Sequence, residues 1–267
     1  MKVSLIQMNS QENKAANLAQ AQRLIEAAIA EDRPDLIVLP EMFTCLSESL
    51  DAKKRAAEKL PGGEAWTLLR DLAARNRIVL HGGSLLEADA DKIYNTTCVF
   101  GRDGTELARY RKIHLFDVVT PDGKEYRESA TFSRGTEVVT YQAEGHEIGA
   151  SICYDVRFPE LYQALAKKGA EIIMVPAAFT LQTGKDHWEV LLRARAIETE
   201  TYVLAAAQCG SYANGTRTSY GHSLVCNPWG HVIAMAQDKP GFVTARLDFG
   251  YQREVRQNIP VMQHKVL

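Results

Sequence analysis

The chain has 267 residues, 46% apolar and 24% charged, with a formal net charge of −2. This is ordinary globular composition with ample material for a core. Acidic and basic residues are mixed along the length, and the lack of a basic block to neutralise a phosphate backbone argues against nucleic acid as a partner.

In chain order, residues 2–8 read as a strand. Asn13 is placed to cap a helix whose apolar face is Leu18, Ala21, Leu24, Ile25, Ala28 and Ile29. Residues 35–39 form a short apolar strand stopped by Pro40, and an amphipathic helix follows at about residues 64–75. Residues 77–83 and 93–100 look like neighbouring strands, and Arg102-Asp103-Gly104 turns into a further strand over residues 106–111. Residues 114–134 are polar, contain Pro121 and Gly123, and read as a long loop of the kind that often carries function. Strands are expected at residues 137–142, 147–153, 171–175, 202–207, 221–226, 232–236 and 241–247, and helices at about residues 159–168 and 186–201. Strands alternate with helices early and again around residue 153, with antiparallel pairs between, which is an α/β pattern with mixed sheets. There are too many strands for one comfortable sheet, so two packed sheets with outer helices are expected. No low-complexity linker or short repeat interrupts the chain, and residues 1–267 read as one domain.

The N-terminal apolar stretch is too short for a signal peptide, and no run approaches the ~20 apolar residues of a membrane helix. The chain does not end in a prenylation box. A cytoplasmic protein with no membrane partner is expected. The five cysteines, Cys45, Cys98, Cys153, Cys209 and Cys226, are odd in number and widely spaced, which argues against a disulfide framework or a zinc site. Asn95-Thr96-Thr97 and Asn214-Gly215-Thr216 match the glycosylation pattern, which carries no meaning in a cytoplasmic protein.

Three residues each end a predicted strand. Cys153 closes the apolar run from His146, and Pro159 behind it favours the first turn of a helix. A thiol on such a strand-to-helix turn can point into a pocket at the carboxyl edge of a sheet. Glu41 follows Leu36-Ile37-Val38-Leu39-Pro40, and Lys112 follows Arg109-Tyr110-Arg111. Taken singly, each has an ordinary reading: a solvated loop carboxylate, a strand-end cation, a small buried hydrophobe. Taken together, they could converge on one rim. A free thiol has a pKa near ~8.5 and needs activation at neutral pH. Glu41 could take its proton, and Lys112 could stabilise both thiolate and tetrahedral oxyanion, a combination suited to amide hydrolysis. Of the seven histidines, His114 and His187 lie in segments that could border the site. Both read as hydrogen-bonding scaffold, and a histidine base stays open at this point.

The stretches Leu39-Pro40-Glu41, Tyr110-Arg111-Lys112-Ile113-His114-Leu115 and Ile152-Cys153-Tyr154-Asp155-Val156-Arg157-Phe158-Pro159-Glu160 resemble those of the nitrilase superfamily, the carbon–nitrogen hydrolases, in the family's order. The similarity runs from residue 2 to residue 264. The resemblance implies a four-layer αββα sandwich, a homodimer or larger homo-oligomer, and hydrolysis of a small-molecule amide without metal or organic cofactor. It implies Cys153 as nucleophile, Glu41 as general base, Lys112 as oxyanion-stabilising cation and Glu128 as a second glutamate orienting the other two.

Nitrilases proper carry tryptophan and glutamate after the nucleophile. Tyr154-Asp155 is similar to the amidase branches instead. The stretches around Phe179 and Thr183, His187 to Glu198, Gln208, Tyr220 and Asn227-Pro228-Trp229-Gly230 resemble the Nit subgroup, whose members act on deaminated glutathione or, as ω-amidases, on α-ketoglutaramate. The resemblance therefore implies a carboxylate-bearing ω-amide as substrate, with deaminated glutathione yielding α-ketoglutarate and cysteinylglycine. The Tyr154 backbone N–H is the expected second oxyanion donor. Arg157 is placed either to meet a substrate carboxylate or to brace the site, and Phe179 and Thr183 to line the pocket. Carbamoyl hydrolysis, an aliphatic amidase, and a catalytically retired scaffold or binding protein stay open as alternatives.

Overall fold

The computed structural model describes residues 1–266. Two mixed sheets carry the chain. The first has the order Gly241–Arg246, Lys2–Gln7, Leu36–Val38, Val79–His81, Lys92–Phe100, Leu85–Asp89, with Glu106–Arg111 also pairing to Lys92–Phe100. The second runs Val232–Met235, Leu224–Cys226, Tyr202–Ala205, Ile172–Met174, His146–Ala150, Thr140–Ala143. The central pairings are parallel and the outer ones antiparallel.

Side-chain alternation explains why the sheets stack. In Leu36–Val38, Leu36 and Val38 face the second sheet, while Ile37 faces the opposite way. In Ile172–Met174, Ile172 and Met174 join Leu36 and Val38 in the middle, and Ile173 turns outward. Helices Lys14–Asp32 and Glu64–Asn76 cover the outer face of the first sheet through Leu18, Ala21, Ile25, Leu69 and Leu72. Helices Pro159–Lys167 and Leu181–Thr199 cover the second through Leu161, Leu165, Trp188 and Leu192. Strands Leu36–Val38 and Ile172–Met174 are thus apolar on both faces, as expected for sheets covered on both sides. The result is the four-layer αββα sandwich.

Most strand expectations hold within one to three residues. Asn13 is the expected helix cap: its side chain accepts from the Ala16 N–H at 3.0 Å. The loop expected over residues 114–134 instead contains a hairpin, Asp117–Val119 with Glu125–Arg127, followed by a 3-10 turn at Glu128–Ala130. The helix expected from residue 186 begins earlier, at Leu181, behind Thr180, whose side chain caps it. Gly184 is part of that helix and sits where a Cβ would come within 2.4 Å of Tyr220. Strand Leu85–Asp89, helices Leu50–Ala56, Phe249–Asn258 and Val261–His264, and the hairpin Cys209–Tyr212 with Arg217–Tyr220 were not anticipated.

Gly83 fixes the turn that leads into the site. It has φ +57°, and a Cβ there would lie 2.1 Å from the Pro40 carbonyl oxygen and 2.5 Å from that of Leu39. Only glycine fits such a backbone at that approach. Gly83→Ala is expected to destabilise the protein by about 1–3 kcal/mol. A urea denaturation midpoint unchanged from wild type would contradict this account of the turn.

Candidate active site

The first sheet delivers two of the three strand-end residues and the second sheet delivers the third. Glu41 follows Leu36–Val38 by way of Pro40. Its backbone is held from both sides: the Met42 N–H donates to Ser84 Oγ at 2.9 Å, and Gln208 Nε2 donates to the Glu41 carbonyl at 2.9 Å. Lys112 directly follows Glu106–Arg111, donates its N–H to the Asn95 carbonyl at 2.9 Å and accepts from the Gly135 N–H at 2.8 Å. Cys153 follows His146–Ala150 and opens the 3-10 turn Cys153–Arg157 with φ 47°, a left-handed conformation rare for a residue with a Cβ. Its N–H donates to the Pro176 carbonyl at 2.9 Å, which fixes the turn against the neighbouring strand.

The side chains meet in a nearly dry space, with Lys112 2% exposed, Glu41 3% and Cys153 7%. Lys112 Nζ donates to Glu41 Oε1 at 2.9 Å and to the two oxygens of Glu128 at 3.0 and 2.8 Å. Asn95 Nδ2 donates to Glu41 Oε1 at 2.8 Å and to Glu128 Oε1 at 3.3 Å, so one amide links both carboxylates. Backbone N–H groups also reach both carboxylates. Glu41 Oε2 accepts from the Ala178 N–H at 2.8 Å, and Glu128 Oε2 from the Phe116 N–H at 2.6 Å.

Burial pushes the Lys112 ammonium toward deprotonation, but Glu128 and Glu41 outweigh it and hold its pKa well above the usual lysine value. Burial pushes the Glu128 carboxyl up. Lys112 opposes this and the Glu41 charge adds to it, leaving a raised pKa. Burial likewise raises the Cys153 thiol, and the nearby Glu41 raises it further; Lys112 pulls the other way without cancelling them. Burial and Glu41 together favour the thiol form of the sulfur. The arrangement can remove a proton as sulfur attacks an electrophile, and it holds a fixed cation for developing negative charge.

Asp155 braces the turn that carries Cys153. It is fully buried, with Oδ2 accepting from Tyr110 OH at 2.7 Å and from the Ile152 N–H at 2.9 Å. Its Oδ1 accepts from the His114 N–H at 3.0 Å and lies 2.7 Å from His114 Nδ1. One side chain thus ties the turn that carries Cys153 to the segment that carries Lys112. His114 is committed to Asp155 and stacks on Phe158 at 3.7 Å between ring centres. His187 Nδ1 lies 3.3 Å from Arg157 Nη1 and Nη2. Both histidines sit in the scaffold.

A cavity of about 310 Å³ opens over the cluster. Glu41, Lys112, Glu128, Cys153, Tyr154, Phe179 and Thr183 all line it. Arg157 does not line it: its guanidinium lies over the Phe179 and Tyr154 rings, 5.2 and 5.9 Å from their centres. Of the two roles open to Arg157, the geometry fits the brace. Sequence reasoning missed Asn95, which resembled only an idle glycosylation site, and Asp155, which served only to mark the branch. The polar run Asn95-Thr96-Thr97, set between Ile93-Tyr94 and Cys98-Val99-Phe100 in one strand, was the available signal for Asn95.

Residues 2–257 match the family described as carbon–nitrogen hydrolase. The chain is 41% identical over 266 residues to the deaminated glutathione amidase of Synechocystis sp., covering 98% of this chain and 96% of that protein. It is also 41% identical over 269 residues to omega-amidase NIT2 of Homo sapiens, covering 99% and 94% respectively. Saccharomyces cerevisiae Nit3, a member of branch 10 of the nitrilase superfamily, superposes with a TM-score of 0.90 at 35% identity, over 100% of this chain and 97% of that one. With a matched family spanning nearly the whole length and amidases among its full-length relatives, the chain belongs to the carbon–nitrogen hydrolases of the nitrilase superfamily and is an amidase of the Nit branch.

Proposed function

We propose that residues 1–267 act as one catalytic domain that hydrolyses a small carboxylate-bearing ω-amide through a thioester, with deaminated glutathione as substrate. The observation that carries this reading is the buried cluster in which Glu41, its Oε1 2.9 Å from Lys112 Nζ, lines one cavity with Cys153. Glu41 accepts the thiol proton as sulfur attacks the amide carbon. Lys112 and the Tyr154 N–H hold the oxyanion of the tetrahedral intermediate. The C–N bond then breaks, and Glu41 returns the proton to the departing nitrogen. Water enters, loses a proton to Glu41 and attacks the thioester. The C–S bond breaks, the acid leaves and sulfur is reprotonated. Glu128 orients Lys112 and Glu41 throughout. Phe179 and Thr183 contribute to the pocket wall.

The substrate assignment is supported by the Synechocystis relative and by a cavity at the small end of the ~300–1,000 Å³ common for ligand pockets. The human relative supports α-ketoglutaramate as the second reading. None of the helices among the described residues is long and apolar enough to cross a membrane. We assign the enzyme to the cytoplasm and to a homodimer-based assembly. Support for the assembly comes from Val190 and Ile197, seven residues apart on helix Leu181–Thr199 and 66% and 50% exposed.

Cys153→Ala is expected to abolish turnover of both deaminated glutathione and α-ketoglutaramate while keeping a native circular dichroism spectrum. Glu41→Gln should lower kcat about 10²-fold or more, the scale of a lost general base, and Lys112→Met by about as much, the scale of a lost oxyanion donor. Near-normal kcat in either variant would remove that residue from the proposed roles. Because burial and Glu41 hold the thiol pKa up, the rate at which a small neutral thiol reagent such as methyl methanethiosulfonate modifies Cys153 should keep rising with pH beyond the ~8.5 of a free cysteine. A plateau already reached at pH 7 would mean a preformed thiolate and contradict the proton transfer to Glu41. Sedimentation velocity should show a dimer or larger species, and Val190→Glu with Ile197→Glu should shift it toward monomer; a wild-type monomer would refute the assembly.

A further inference from the structure

Two cationic donors in the cavity wall take no part in the Glu41, Lys112 and Glu128 cluster. Lys53 stands on helix Leu50–Ala56, part-buried, with its ammonium 5.7 Å from the centre of the Phe132 ring. Among the described residues, it has no salt-bridge or hydrogen-bond partner for Nζ. Arg217 begins strand Arg217–Tyr220 and is fastened along one edge. Its Nε donates to Glu48 Oε1 at 2.6 Å and its Nη2 to the Glu125 carbonyl at 3.0 Å, and the guanidinium lies 4.2 Å from the centre of the Tyr126 ring. The other nitrogen, Nη1, is buried and has no partner among the described residues. Tyr126 and Glu48 line the same cavity.

An ionised donor left unpaired in a partly dehydrated wall is unfavourable, and its natural complement is an anionic acceptor brought by a ligand. The fixed fork of Arg217 leaves the two N–H groups of Nη1 to offer, and Lys53 adds a mobile point charge. Glu48 already neutralises Arg217, so the net attraction for an anion comes from Lys53. Both donors come from segments outside the two large sheets, whereas the reacting groups follow strands of those sheets. Burial pushes the Lys53 pKa down while the Glu128 charge draws it back up, so one competing role for Lys53 is to balance Glu128.

We infer that Lys53 and Arg217 form the receptor for the carboxylate that the substrate carries away from its scissile amide. This inference rests on the proposed ω-amide reading and names the residues that enforce it. The test pairs two substrates with the same chain: glutaramate, which bears the distal carboxylate, and pentanamide, which has a methyl group there. The wild type should prefer glutaramate. In Lys53→Met the ratio of kcat/KM for glutaramate to that for pentanamide should fall about 10- to 100-fold, mainly through KM, as expected for a lost charged hydrogen bond. Lys53→Arg should recover much of that ratio. An unchanged ratio, or an equal fall in kcat for both amides, overturns the inference, the second result assigning Lys53 to the balance of Glu128. If the wild type turns over neither amide, the ω-amide reading itself fails. The receptor is then decided by calorimetry of glutarate on Cys153→Ala: binding at least about tenfold weaker when Lys53→Met is added supports it, and equal binding overturns it.

Discussion

Lys112 stands between Glu41 and Glu128 at the buried floor of the cavity, and the geometry of the site follows from satisfying that cluster. Removing three charged groups from solvent is costly, and their mutual attraction offsets it only when the remaining donors and acceptors are also paired. Most are here, the exception being the buried Asn95 Oδ1. Asn95 spans both glutamates, and each carboxylate also takes a backbone N–H, Glu41 from Ala178 and Glu128 from Phe116. A cluster so fully committed has one arrangement, which fixes Glu41 relative to the thiol with little freedom to drift.

Several of those bonds cross between the two sheets. Glu41 and Lys112 follow strands of the first sheet, while Ala178 and Cys153 follow strands of the second. Glu41 with Ala178, Gln208 with the Glu41 carbonyl, and Tyr110 with Asp155 all bridge the layers. The apolar middle of the sandwich brings the sheets together without direction, and these polar contacts at its end set their position to within a hydrogen bond. Packing therefore supplies the stability, and the buried polar bridges supply the register on which catalysis depends.

Much of this was legible in the chain because burial writes itself into runs of apolar residues. Leu36-Ile37-Val38-Leu39 must be a covered strand, so whatever follows Pro40 sits at a sheet edge, and the same reasoning applies to Lys112 and Cys153. What stayed hidden was polar and tertiary. Glu87 interrupts the apolar pattern of Leu85–Asp89, yet it is buried, because Arg111 grips it with bonds of 2.8 and 2.7 Å from the paired strand region. Helix Leu50–Ala56 spans too few turns to show a period, so Lys53 looked like any surface lysine. Helix Phe249–Asn258 is dense in charge, and its one clear mark is Asp248, whose side chain caps it. The hairpin over Asp117–Arg127 has strands too short for alternation to speak, although it frames Glu128.

The protonated state of Cys153 has a consequence beyond the reaction. Peroxides and other oxidants attack thiolates, and the ladder from sulfenic to sulfonic acid begins there. Burial and Glu41 keep this sulfur as a thiol, and the other four cysteines are buried with raised pKa values, about 11 for Cys45 and Cys209 and about 12 for Cys226. The folded chain therefore favours the thiol form at all five cysteines. A thiol is a poorer target for peroxides than a thiolate, so the burial that raises the pKa of Cys153 also slows the first step of its oxidation.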